Sequence, residues 1–154
     1  LALSLPHSPL EDDALRERII EECRQHLLTP FGLRSLSPTD PRYQGHYTGS
    51  VSKRDASYHQ GPAWGWLLGH FALAHYRTGG SADAAQALLE PMAGQLNEAA
   101  IGQLSEIFDG EAPHLARGAP AQAWTVACTL EAWWRLELAK QSLSAKQDDN
   151  ERRT

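Results

Sequence analysis

The chain has 154 residues, 42% of them hydrophobic, which is one domain's worth of sequence with apolar material for a single core. A formal charge of -5 and a pI near 5.8 argue against a nucleic-acid partner, because polyanion binding depends on clustered Lys and Arg. No run approaches about 18 apolar residues and the first residues lack a signal peptide's basic and apolar regions, so no membrane partner is expected and a cytoplasmic location is.

Ser8-Pro9-Leu10-Glu11 reads as a helix start, with Ser8 as cap and Pro9 in the first turn. Leu15, Ile19, Cys23 and Leu27 then recur every fourth residue, and Thr29-Pro30 stops the stripe. A second helix is predicted from Gly61-Pro62 to Gly79-Gly80, burying Trp64, Leu67, Leu68, Phe71 and Ala72. Ser81 caps a third, which carries Leu88, Leu89, Met92 and Leu96 and which Pro91 should kink. A fourth begins near Pro120 and is expected to bury Ala123, Val126, Ala127, Leu130, Trp133 and Trp134 before Lys140. The domain is thus expected over residues 1–140, and the polar tail 141–154 is expected to be frayed or disordered. Cys23 and Cys128 fall among apolar residues of helical patterns and are expected as reduced, buried thiols.

Between these helices lie two segments without periodicity, residues 31–60 and 101–119, rich in Gly, Pro, Ser, Asp and His. Loops of this length in a small domain are usually functional or disordered. Both concentrate polar and aromatic chemistry: Arg34, Asp40, Arg42, Tyr43, Tyr47, Arg54, Asp55, Tyr58, His59 and Gln60 in one, Glu106, Asp109 and His114 in the other. That density favours a site. No strand signal competes, beyond weak pairing over residues 47–52. The expectation is an all-α fold of about four helices with two long functional loops.

Spacing removes several chemistries. His70 and His75 point in different directions on a helix, His-Glu-x-x-His does not occur and the cysteines are far apart, so no metal is expected. Gly-x-Ser-x-Gly and phosphate-cradling glycine loops are missing, and neither thiol has polar surroundings that would activate it. No cofactor is expected. What remains is the carboxylate loop Ser105-Glu106-Ile107-Phe108-Asp109-Gly110 beside Tyr58-His59-Gln60-Gly61 and Gln122-Ala123-Trp124. Sugar hydrolases need this mixture, because carboxylates move protons at the glycosidic bond while aromatic faces and amides hold the rings. Taken alone the pattern is weak: a loop Glu is commonly a solvated charge, helix-start Gln residues commonly cap, and Trp64 and Trp124 could be core.

Tyr58-His59-Gln60-Gly61 with Trp64-x-Trp66, then Ser105-Glu106-Ile107-Phe108-Asp109-Gly110, then Ala121-Gln122-Ala123-Trp124 resembles the C-terminal region of glycogen debranching enzymes, the amylo-α-1,6-glucosidase part. Leu33-Arg34-Ser35-Leu36-Ser37-Pro38 and Asp40-Pro41-Arg42-Tyr43 extend the resemblance upstream, so that it covers the chain to about Glu137. Pro62, Ala63 and Gly65 stand where the family usually has Thr, Val and Pro, and Ala119-Pro120 replaces Cys-Ile. These departures touch pocket shape more than reaction class.

The resemblance implies the C-terminal portion of an (α/α)6 toroid and inverting hydrolysis of α-1,6-linked glucose in branched α-glucan or maltooligosaccharide. It makes Glu106 the general base. Tyr58, His59, Gln60, Trp64, Trp66, Trp124, Asp109 and Gln122 become substrate-binding residues, with Arg54 and Asp55 behind them. A toroid of twelve helices needs at least roughly 200 residues, and an inverting pair needs two carboxyls about 6.5–9.5 Å apart. With no initiator Met at Leu1, the chain is therefore expected to be a piece of a longer polypeptide, inactive alone, whose general acid lies upstream. Helix faces left uncovered would make the isolated chain a homo-oligomer. Other glycosides remain open as substrates. The alternative is a non-catalytic helical module that binds oligosaccharide or protein.

Overall fold

A computed structural model describes the backbone of residues 1–151 and the side chains of residues 1–145. The all-α expectation is overturned: alongside the helices runs a five-stranded antiparallel sheet in the order β1-β2-β3-β4-β5. Its strands are Leu28–Thr29, Gly32–Arg34, Ala63–Trp64, Ile107–Phe108 and Ala116–Arg117. Strands of two or three residues are too short to display the alternation by which a strand is read, and β3 to β5 lie inside segments assigned to a helix start or a loop. The sheet gathers distant pieces of chain into shared rungs. One rung aligns Leu28, Leu33, Trp64, Ile107 and Arg117, and the next aligns Arg34, Ala63, Phe108 and Ala116.

Helix α1 covers Asp13–His26 and is capped by Asp12, whose side chain accepts from the Leu15 amide at 3.0 Å. Ser8, the expected cap, instead accepts from the Leu10 amide. The first long loop contains an unexpected helix, α2 (Val51–Ser57), started by Ser50. Helix α3 spans Trp66–Arg77, several residues shorter at its start than expected, because Ala63–Trp64 pairs in the sheet. Pro91 does more than kink the third helix. It occupies the first turn of a separate helix, α5 (Glu90–Gln95), after α4 (Ala82–Ala87), where its missing N–H costs nothing.

Helix α6 runs Ala123–Glu151, through residues 141–151 of the expected tail, while residues 152–154 lie outside the described residues. No Gly or Pro interrupts the sequence after Pro120, which suits a long helix. Its buried face differs from the expected one. Thr125, Thr129, Ala132 and Leu136 point inward, whereas Leu130 and Trp134 are 63% and 60% exposed. Small residues face α3 because the two backbones touch: a Cβ on Gly69 would overlap the Cys128 carbonyl. Around that contact Leu68, Phe71, Ala72, Leu89, Met92 and Phe108 form the core. Both cysteines are free and half-buried.

Candidate active site

Glu106 sits one residue before β4, so the sheet fixes its backbone. Its N–H donates to the Ala119 carbonyl at 2.9 Å and its own carbonyl accepts from the Gly65 amide at 3.3 Å. The half-buried carboxylate is gripped from two sides. Oε1 accepts from the Tyr58 hydroxyl, and Oε2 accepts from the Ala119 amide at 2.9 Å. Gly118 makes the second contact possible, since it sits in the left-handed region at φ +68 and a Cβ there would land on Oε2.

Tyr58 lies among aromatic rings: Tyr47 at 5.6 Å, His59 at 4.9 Å and Trp64 at 4.8 Å between centroids. His59 and Trp64 are stacked at 5.1 Å with 1° between their planes. Beyond them an open hollow of about 300 Å³ is lined by Ser35, His59, Trp64, Trp66, Leu67 and Trp124. Trp66 and Trp124 meet edge to face at 6.2 Å on its rim, where Trp124 is 65% exposed. Trp64 is only 8% exposed, and its indole N–H has no hydrogen-bond partner. Such an orphaned buried donor is uncommon in folded proteins. Ser35 ties the hollow to the sheet: its hydroxyl donates to the Pro62 carbonyl at 3.1 Å and accepts from the Gly61 amide at 2.9 Å.

The structure therefore joins Glu106, Tyr58, His59 and Trp64 in one cluster, with Trp66 and Trp124 across the hollow. Five other sequence-derived candidates lie differently. Asp109, expected to touch sugar, has its side chain 3% exposed and turned into the protein. It accepts from the Arg117 guanidinium at 2.8 Å and from the Tyr47 amide at 2.9 Å, with His46 Nδ1 at 3.5 Å. Burial pushes this carboxyl up, but the bonds from Arg117 and Tyr47 outweigh burial and hold it below its ordinary range. Gln122 accepts from the Thr125 hydroxyl at 2.8 Å within the first turn of α6. Gln60 takes part through its backbone carbonyl, which accepts from the Gln44 amide at 2.7 Å. Arg54 donates to the Gly49 carbonyl, and Asp55 is exposed on α2.

Sequence reasoning missed Arg117, Gly118 and the Ala119 amide. The one available signal was an Arg-Gly pair closing the acidic loop that contains Asp109. The loops, expected to be either functional or disordered, are stitched together at this point: Gly110 N–H donates to the Gly45 carbonyl at 2.6 Å, and Tyr47 bonds Asp109.

No His, Cys, Asp and Glu cluster suited to a metal occurs among the described residues. His70 lies between the Ser4 hydroxyl at 3.0 Å and the Cys128 thiol at 3.7 Å, and burial pushes both it and the thiol toward their neutral forms. Among the described residues no helix is long and apolar enough to cross a membrane. Larger hollows of about 470 and 360 Å³ lie between α1 and α3 and between α5 and α6. Neither is lined by His59, Trp64, Trp66 or Trp124, the rings beside Glu106, so chemistry rather than size selects the site.

Comparison with known proteins gives the same direction. The amylo-alpha-1,6-glucosidase family matches residues 1–131. The glycogen debranching enzyme of Saccharomyces cerevisiae is 28% identical over 130 residues, an alignment covering 70% of this chain and 8% of that protein. The chain thus spans less than a tenth of the length of this relative.

Proposed function

The chain belongs to the amylo-alpha-1,6-glucosidase family, and from that premise we propose that it carries the base side of a glycosidase site acting on α-1,6-linked glucose in branched α-glucan. The observation that supports this most is the grip on Glu106: an acid fixed by Tyr58 and Ala119, beside aromatic walls around a hollow at the lower end of ligand-pocket volumes. In the proposed reaction Glu106 takes a proton from water as the water oxygen bonds to the anomeric carbon. The bond from that carbon to the glycosidic oxygen breaks, and the leaving oxygen receives a proton from a second carboxyl group. Attack from the face opposite the leaving group inverts the configuration.

No carboxyl lines the hollow itself, Glu106 standing behind its His59 and Trp64 wall, and Asp109 is committed to Arg117. The proposal therefore takes the general acid from polypeptide outside these 154 residues, and the isolated chain should bind glucan without cleaving it. The absence of a carboxylate from the hollow's lining is also what favours the alternative, a module that binds oligosaccharide without catalysis.

Kinetics of Glu106→Gln in the full polypeptide separate the two. The base reading expects kcat to fall by about 10²–10⁴-fold while maltooligosaccharide affinity is kept, because the substitution removes a proton acceptor at constant size. Unchanged turnover would end the base assignment.

A further inference from the structure

Resting on Glu106 as base, the geometry points to Tyr58 as a positioning residue for that carboxylate, in addition to any contact with sugar. An ionised carboxylate offers about four lone-pair directions to donors. Two of these are occupied here, one by the Tyr58 hydroxyl on Oε1 and one by the Ala119 amide on Oε2. The bonds fix the plane of the group and leave one lone-pair direction on each oxygen without a donor among the described residues. Without the phenol the carboxylate would be held by one oxygen only and could turn about its last bond.

The phenol is itself held. Trp64 lies at 4.8 Å and 62° to its ring, His59 at 4.9 Å, and these two stack on each other. Trp64 in turn is locked into β3 opposite Ile107, the residue after Glu106. A closed circuit results: the strand that places the acid also places the ring that orients the acid's partner. Burial, and then the facing Glu106 carboxylate, push the Tyr58 phenol up to about 12, so it remains a donor throughout the range in which the base would work. The geometry makes the phenol a fixed donor to the base, and a proton shuttle is not needed.

Two measurements test this. The first needs no turnover: in Glu106→Gln the Tyr58 phenol, followed by its carbon resonance in ring-labelled protein, should titrate below its position in the parent while burial still holds it above the ordinary phenol range. A Tyr58 titration that does not move would overturn the pairing. The second uses the full polypeptide. Tyr58→Phe should lower kcat by about 10- to 100-fold with KM within about twofold, while Trp124→Ala, a wall of the hollow, should raise KM instead. A Tyr58→Phe loss confined to KM would overturn the positioning role and leave only a sugar contact. Should Glu106→Gln turn over at the parent rate, the base reading falls and this inference with it. If Glu106→Gln is inactive and Tyr58→Phe is fully active, only the inference falls. A Tyr58→Phe protein that does not fold leaves the phenol titration to decide.

Discussion

The neighbourhood of Glu106 and the long helix α6 are built on opposite plans. Around Glu106 the acid is held at every point: two-residue strands set its backbone, the Ala119 amide and the Tyr58 hydroxyl grip its carboxylate, and a glycine stands where no side chain fits. Helix α6 is held by one face against α3 and α4, and its opposite side leaves Trp134 and Leu138 exposed. The first plan fixes atoms to a few tenths of an ångström, as a proton acceptor requires. The second fixes only a helix axis and leaves an apolar surface that invites a neighbour. We infer that this surface is covered by further helices of a longer polypeptide or, in the isolated chain, by a second copy.

The largest expected effect lies on the first side. Asp109→Asn removes a buried charge from Arg117 and loosens the loop through Tyr47, and should cost about 2–4 kcal/mol by urea denaturation. The pH dependence has a definite sign. Because the folded-state carboxyl titrates below the ordinary Asp range, its contribution is present above about pH 4 and is lost as pH falls through the lower folded value. The parent should therefore lose more stability on acidification than Asp109→Asn, and equal slopes would show that the ion pair contributes little.

A smaller effect is expected where the two plans meet. Gly69→Ala places a methyl group on the Cys128 carbonyl and should cost about 1–2 kcal/mol, part of the strain being offset by alanine's better helix propensity. A stabilised variant would mean that α3 and α6 sit farther apart. The smallest stability effect belongs to the free face of α6: Trp134→Ser should change monomer stability by no more than about 0.5 kcal/mol yet weaken self-association in sedimentation runs. A parent chain that stays monomeric at high concentration would remove the second-copy account.

What the sequence made readable divides along the same line. The helices announced themselves where an apolar stripe repeats, as in α1 and α3, because packing requires a 3.6-residue period. The amphipathic reading of α6 chose the wrong face, since Thr125 and Thr129 look polar but are buried by close approach to Gly65 and Gly69, while Trp134 looks like core and is exposed. The sheet was invisible because Ala63–Trp64 and Ile107–Phe108 carry no period, only partners far along the chain. Glu106, Tyr58, His59 and Trp64 were found together through their motifs, not through any local pattern. Asp109 was placed on the sugar because its acid lies in the same motif, and the Arg117-Gly118 pair that closes the loop is the one sequence sign of its partner.

The most direct test of the central claim uses the indole N–H signals of the five tryptophans in the isolated chain. Titration with a branched maltooligosaccharide should shift Trp64, Trp66 and Trp124 and leave Trp133 and Trp134 in place as internal controls. Shifts confined to Trp133 and Trp134, or none at saturating sugar, would contradict the assignment of the hollow beside Glu106 to a glucose ring.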